Sequence, residues 1–368
     1  MSPTPRHLCG LDALRGIASL FVVLWHVLYL KQRFGLASHP AIESLPLVHQ
    51  GHAAVTFFFV LSGFLITYLL LCERAKTGTT DIGAFYVRRV LRIWPVYYLC
   101  LAIGMVIPGL IDSLRFSPEF FSFTPANIAA HTLLLPNLAP AENPLCFQSW
   151  SIGVEEQFYL AWPILFVLGC TSDRRTVATM LGVCLLIYGL RACHLLWTDD
   201  TTQSLRGFLG RARFDNMAIG GLFGLAYYRS WLPQSKWLAA AAWTTTLCMR
   251  WLLYSPPAGL EHLVYALLFA VSIYYVVVFV RPASWLEQPF LRFVGKVSYG
   301  IYMYHVCAIY AALNIVSATV PEWPTDTIAY DAVLYPLAVL ITVVLSWLSY
   351  VFLERPFLGL KRRFTVAG

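Results

Sequence analysis

What most constrains this chain is a succession of apolar runs, each about long enough to cross a bilayer. A helix needs about 20 apolar residues to span the hydrocarbon core. Such runs recur at 11–30, 53–72, 93–111, 151–170, 176–197, 214–228, 237–254, 262–281, 297–319 and 332–353. The sixth has the shortest apolar part, NMAIGGLFGLAYY. Ten runs of this kind predict an all-α, polytopic membrane protein. Composition agrees: of 368 residues, 58% are hydrophobic and only 12% charged, whereas soluble domains are about a quarter charged. The 15% aromatic share suits interfacial Trp and Tyr belts. MSPTPRH precedes the first run and no small-x-small cleavage site follows it, so that run reads as a retained signal anchor.

Lys and Arg fix the expected orientation, because cytoplasmic segments carry the excess. With the N-terminus inside, eighteen of the 26 basic residues fall in inner segments, six in outer ones and two within spans. Both termini are therefore expected in the cytoplasm, with the chain in the inner or plasma membrane. The same asymmetry accounts for the net charge of +7 without a nucleic-acid partner. The longest stretch between spans, 112–149, is too short to bury a core of its own. One domain over 1–368 is expected, with no appended soluble domain. IAAHTLLLPNL, within that stretch, predicts a short interfacial or re-entrant helix. The nine cysteines are odd in number, lack CxxC pairing and mostly sit in apolar runs, where they act as small hydrophobes. They indicate neither a disulfide framework nor a metal site.

Ionisable groups inside spans cost about 2.5–3.5 kcal/mol each at the bilayer centre on insertion scales, and so tend to mark function. In LDALRGIASLFVVLWHVLYL, Arg15 and His26 are eleven residues apart. That is close to three helical turns, so they share one face, about 16 Å apart along the axis. Snorkelling explains Arg15 alone and packing explains His26 alone; together they read as the lining of a polar channel. In QSWSIGVEEQFYLAWP, Glu155 and Glu156 enter from the outer side at a depth similar to His26. A first-turn carboxylate complements the helix dipole, with Ser149 or Ser151 as cap. Two adjacent carboxylates point about 100° apart, which leaves one free to orient an imidazole as general base. In FYVRRVLRIWPVYY, Arg88, Arg89 and Arg92 lie at the cytoplasmic entrance of the third span. Basic residues are expected there in any case, yet their forks also match phosphate oxygens. In GKVSYGIYMYH, Ser298, Tyr302 and His305 recur on one helix face.

These segments, taken in order, resemble a known family. LDALRGIASLFVVLWH, GHAAVTFFFVLSGFLI, RRVLRIWPVYYL, SWSIGVEEQFYLAWPIL, ARFDNMAIGGLFG, KVSYGIYMYH and LERPF together are similar to the acyltransferase-3 membrane proteins, which O-acylate sugars and other acceptors, over residues 10 to about 356. The first carries that family's Arg-x10-His signature and the third its Arg-x-x-Arg. The resemblance implies that His26 is the essential catalytic residue, supported by Arg15. It implies that Arg89 and Arg92 help bind the acyl donor, with Arg88 beside them, and that one of Glu155 and Glu156 is functional. The implied co-substrate is acyl-coenzyme A, usually acetyl-CoA, from the cytoplasmic side, with no metal. The implied acceptor is a hydroxyl of a carbohydrate or other cell-surface or secreted molecule.

The expected chemistry follows. His26 takes the proton of an acceptor hydroxyl as its oxygen attacks the thioester, and Ser298, Tyr302 or His305 stabilises the oxyanion. A covalent acyl-histidine is the alternative within the enzyme class. A transporter or flippase is the alternative outside it, because in-membrane charges also mark transport. Against transport, no pair of Gly/Pro-broken spans occupies matching positions in two halves of the chain.

Overall fold

The computed structural model describes residues 8–110, 124–139, 146–196, 210–252 and 260–364. A helix forms at every one of the ten apolar runs. They are α1 (Leu11–Arg33), α2 (Gly51–Thr77), α3 (Ile82–Leu110), α4 (Trp150–Gly169), α5 (Asp173–Leu196), α6 (Phe214–Arg229), α7 (Lys236–Leu252), α8 (Leu260–Phe279), α9 (Ser298–Thr319) and α10 (Ile328–Ser349). Among the described residues there is no strand. Seven of the helices, α1, α2, α3, α5, α8, α9 and α10, have the length and hydropathy of a bilayer span. Glu155, Glu156 and Gln157 weigh against α4, and α6 and α7 are only 16 and 17 residues long. The chain is an all-α, multi-pass membrane protein.

One boundary differs usefully from expectation. α3 begins at Ile82 rather than near 93, because arginine is a good helix former although hydropathy counts against it. Arg88, Arg89 and Arg92 therefore lie in the second and third turns of a continuous helix, not at its mouth. Between α3 and α4, a helix over Pro125–Thr132 is capped by Thr124, whose Oγ1 accepts from Asn127 N at 3.1 Å. It is the short helix expected in the 112–149 stretch, with Asn127 and His131 buried. Residues 111–123 and 140–145 of that stretch lie outside the described residues, as do Arg6, Arg115 and Arg206 from the charge count. All nine cysteines are free thiols.

Packing between helices in lipid relies on small residues that let backbones approach. α2 and α6 meet this way. A Cβ on Gly63 would run into the Met217 carbonyl, and one on Gly220 into the Val60 carbonyl. α1 rests equally closely on the short helix Pro289–Lys296, where a Cβ on Gly295 would strike the Asp12 backbone. These two seams hold α1 and α2 in fixed register beside α3, α4 and α9, whose inner faces line the site. Beyond α10 the chain runs through a π-helical turn, Tyr350–Glu354, before the helix Arg355–Lys361. Pro356 has no N–H to offer the Phe352 carbonyl, which favours the widened turn.

At the C-terminal end of α1 a buried ion pair closes the bundle. Lys31 and Asp331 are both 0% exposed and in direct contact. Lys31 Nζ also donates to the Thr325 carbonyl at 2.9 Å, and the other Asp331 oxygen accepts from His39 N at 2.9 Å. With both Asp331 oxygens and two of the three Lys31 N–H groups engaged, removing one partner strands a buried charge, which costs about 3–5 kcal/mol. Asp331→Ala should therefore lose about that much stability in denaturant titrations of the detergent-solubilised protein, and Lys31→Met combined with Asp331→Leu should regain most of it. A loss under about 1 kcal/mol for Asp331→Ala would mean that water reaches the pair.

Candidate active site

Five helices converge on one internal cavity enclosing about 800 Å³ outside the protein's atoms, part of it open to solvent. α1 contributes Arg15, α2 Phe58, Phe59 and Ser62, α3 Arg89 and Arg92, α4 Ser151, Glu155 and Tyr159, and α9 Ser298, Tyr299 and Tyr302. Among the described residues, no carboxylate lies within 4 Å ion-pair distance of Arg15, Arg89 or Arg92. Arg89 packs over the rings of Phe85 and Tyr159 at 5.1 and 5.3 Å, and its buried Nε has no hydrogen-bond partner. Glu155 is the single carboxylate on the wall. Its two oxygens accept from Ser62 Oγ at 2.8 Å and Tyr159 OH at 2.9 Å. The cavity thus carries a positive excess that its own side chains leave open to an anion.

Four candidates stand apart from that wall: Arg88, Glu156, His305 and His26. Arg88 points off the cavity, donating to Glu73 at 2.9 Å and to the Phe364 carbonyl at 2.7 Å. The reason is helical phase: one residue turns the side chain by about 100°, so Arg89 and Arg92 face inward and Arg88 does not. Glu156 likewise turns away and accepts from Trp94 Nε1 at 3.2 Å. His305 sits beyond Tyr302, whose ring lies 5.8 Å from its own.

His26 and His305 form a buried pair, 5% and 0% exposed, with ring centroids 4.5 Å apart. The Nδ1 of His26 lies 2.8 Å from the Val22 carbonyl and that of His305 2.7 Å from the Tyr302 carbonyl. A carbonyl can only accept, so each Nδ1 is an N–H, and in the neutral ring each Nε2 then keeps its lone pair. The Nε2 of His305 has no hydrogen-bond partner. Trp25, at 4.4 Å, and Phe147, at 5.2 Å, complete a ring collar round His26.

The expected contact between His26 and a glutamate is absent: neither Glu155 nor Glu156 hydrogen-bonds the imidazole. Backbone carbonyls one helical turn away set the ring orientation instead. Tyr302 joins the two halves of the site. Its hydroxyl, on the cavity wall, meets Ser151 Oγ at 2.5 Å and donates to the Gln148 carbonyl at 3.1 Å, while its ring faces His305.

Sequence reasoning had not singled out Ser62, Tyr159 or Glu354. Tyr159 was accessible in principle, one turn after Glu155 on the same face. Glu354 lies in LERPF and is 5% exposed; the π-helical turn brings it within electrostatic reach of Arg92 and Arg15. Among the described residues, no group of three or more His, Cys, Asp or Glu side chains is arranged to hold a metal ion.

Comparison with known proteins bears on the chemistry. An acyltransferase domain, that of the acyltransferase-3 family, matches residues 10–351. Peptidoglycan O-acetyltransferase OatA of Listeria monocytogenes is 26% identical over 95% of this chain and 56% of its own length. O-acetyltransferase OatA of Staphylococcus aureus is 22% identical over 96% of this chain and 57% of its own. The chain thus spans a little over half the length of the curated relatives it matches. No solved structure matches it. With a family match across almost the whole chain and a helical bundle built for the bilayer, the chain belongs to the acyltransferase-3 family and is a multi-pass membrane protein.

Proposed function

We propose that the protein moves an acetyl group from acetyl-CoA to a hydroxyl of a cell-envelope carbohydrate, with His26 as the general base. One observation carries this reading: a cavity whose three arginines have no carboxylate in contact adjoins, through Tyr302 and then His305, the buried His26 imidazole, whose Nδ1 is held by a carbonyl so that Nε2 is the nitrogen left to take a proton. The names of the OatA relatives point to O-acetylation and, for one of them, to peptidoglycan. In the expected orientation Arg15, Arg89 and Arg92 face the cytoplasmic side, where they would bind the phosphates of coenzyme A. The thioester would then lie toward Tyr302 and the histidine pair.

The step balances without further reagents. The acceptor oxygen attacks the thioester carbonyl, forming a C–O bond, while its proton passes to Nε2 of His26. As the C–S bond breaks, that proton leaves His26 for the coenzyme A sulfur, so the products are the ester and the free thiol. Ser298, whose buried Oγ has no partner, is placed to donate to the developing oxyanion, and Tyr302 would join it by turning its proton away from the Gln148 carbonyl. His305 holds the His26 ring from the other side and, once protonated, supplies a further donor. Glu155 balances part of the arginine charge, which supports Glu155 rather than Glu156 as the functional carboxylate.

General-base help is worth about 10²–10⁴-fold, so purified His26→Ala should fold and release coenzyme A thiol at least about 100-fold more slowly. A wild-type rate from that variant would sink the mechanism. Absence of thiol release from the unaltered protein supplied with acetyl-CoA and acceptor would favour transport over transfer. Rapid quench with labelled acetyl-CoA before acceptor is added reads out whether the label ever resides on His26.

The donor site makes its own demand. Losing a hydrogen bond to a charged group costs about 1.5–3 kcal/mol, so Arg89→Gln and Arg92→Gln should each raise the KM for acetyl-CoA by at least tenfold, and Arg88→Gln by less than threefold. Glu155→Gln should cut kcat at least about tenfold, while Glu156→Gln stays within about threefold of the unaltered protein; the reverse order would move the functional carboxylate to Glu156.

A further inference from the structure

The end of the bundle nearest His26 carries a second set of groups outside the cavity. Trp25 stacks on Tyr29 at 5.3 Å and meets His52, at the start of α2, at 4.7 Å. A Cβ on Gly51 would strike the Trp25 indole, so the glycine is what admits that ring against α2. His52 is exposed, and Thr56, one turn on, contacts His262 Nδ1 at 3.4 Å. Arg213 and Glu261 lie within electrostatic reach of the His52 ring. Four segments therefore bring aromatic, cationic and anionic groups to the rim above the catalytic imidazole.

These groups are not spent on the fold. Among the described residues, no hydrogen bond or ion pair engages the side chain of Arg213, Glu261 or His52. Asp215, two residues from Arg213, is already committed: its oxygens accept from the fork of Arg191 at 3.0 and 3.2 Å. Burial, together with the neighbouring Arg191 charge, pushes the Arg213 guanidinium down to about 10. The opposing charges of this chain, Asp215 and Glu261, act on it without a hydrogen bond or ion-pair contact, which leaves the guanidinium N–H groups open to a ligand.

Resting on the acyl-transfer reading above, we propose that this rim is the acceptor site and that it takes a carbohydrate. Trp25 and Tyr29 form the apolar wall for the C–H face of a pyranose, while Arg213, Glu261 and His52 hydrogen-bond its hydroxyls and present one of them to Nε2 of His26. The mixed charge selects this class. A hydroxyl donates and accepts at once and so satisfies both Arg213 and Glu261, whereas a purely anionic or cationic acceptor would meet one opposing charge. Aromatic side chains with a polar tip suit the same ligand.

The test uses the full-length protein in vesicles, acetyl-CoA as donor and N-acetylchitopentaose as carbohydrate probe. Acetylated glycan is read by mass spectrometry and total donor turnover by coenzyme A thiol release. Glu261→Gln and Arg213→Gln should each raise the KM for N-acetylchitopentaose about tenfold while the KM for acetyl-CoA stays within twofold of the unaltered protein. A merely structural role would lower kcat or raise both KM values together and leave their ratio within twofold of the unaltered protein, which overturns the assignment. If the unaltered protein releases thiol but never acetylates N-acetylchitopentaose at saturating concentration, the carbohydrate class is overturned while acyl transfer stands. If it releases no thiol at all, the acyl-transfer reading itself fails and the acceptor site falls with it.

Discussion

Three guanidinium groups facing one cavity without a carboxylate in contact are the constraint around which the bundle is arranged. Each charge carried at membrane depth costs about 2.5–3.5 kcal/mol on insertion scales, and the usual remedy is a partner in contact. Here the remedy is diffuse. Glu155 sits on the same wall, Glu354 is brought near by the π-helical turn, and aromatic rings of Phe85 and Tyr159 take up Arg89. That arrangement lowers the cost of the empty site without filling it, so an entering anion gains the full charge-assisted contacts. Direct ion pairs with all three arginines would have made a more stable protein and closed the cavity to phosphate.

The histidine pair is held by a different device. A carboxylate behind an imidazole raises its basicity, but it also places another charge at depth. Backbone carbonyls of Val22 and Tyr302 fix both tautomers at no such cost. In their neutral form the two rings need no counter-ion, and the tautomer set by the carbonyls leaves each Nε2 as the nitrogen that would take a proton. Tyr302 divides this pair from the arginine cavity while touching both, so the charged and the neutral parts of the site are contiguous without sharing their electrostatics.

Hydropathy made the helices legible, and the spacing of Arg15 and His26 made their common face legible. The structure keeps Arg15 on the cavity and His26 in the neighbouring collar, as a three-turn separation along one helix requires. What the sequence could not supply was partnership between helices. Arg88 and Arg89 are adjacent in a basic run, and only the phase of a helix starting at Ile82 separates them. Glu155 and Glu156 both had the depth to meet His26, yet α4 turns one toward Ser62 and the other toward Trp94. Periodicity gives the angle between neighbours in the chain; it does not say which helix lies opposite.

The same limit explains why functional and structural charges look alike in the sequence. Lys31 and Arg191, like Arg15 and Arg89, sit in apolar helices, and nothing in their local sequence marks them as different. Their partners do. Lys31 is matched by Asp331, 300 positions away, and Arg191 by both oxygens of Asp215, 24 positions away. A charge whose hydrogen-bonding capacity is exhausted inside the fold contributes to holding helices together, at the price of being useless to a ligand. Among the described residues, Arg15, Arg89, Arg92 and, at the opposite end, Arg213 lack such partners, and they flank His26 from its two sides. The distribution of compensated and uncompensated cations, rather than their number, therefore separates the scaffold of this protein from its proposed working surfaces.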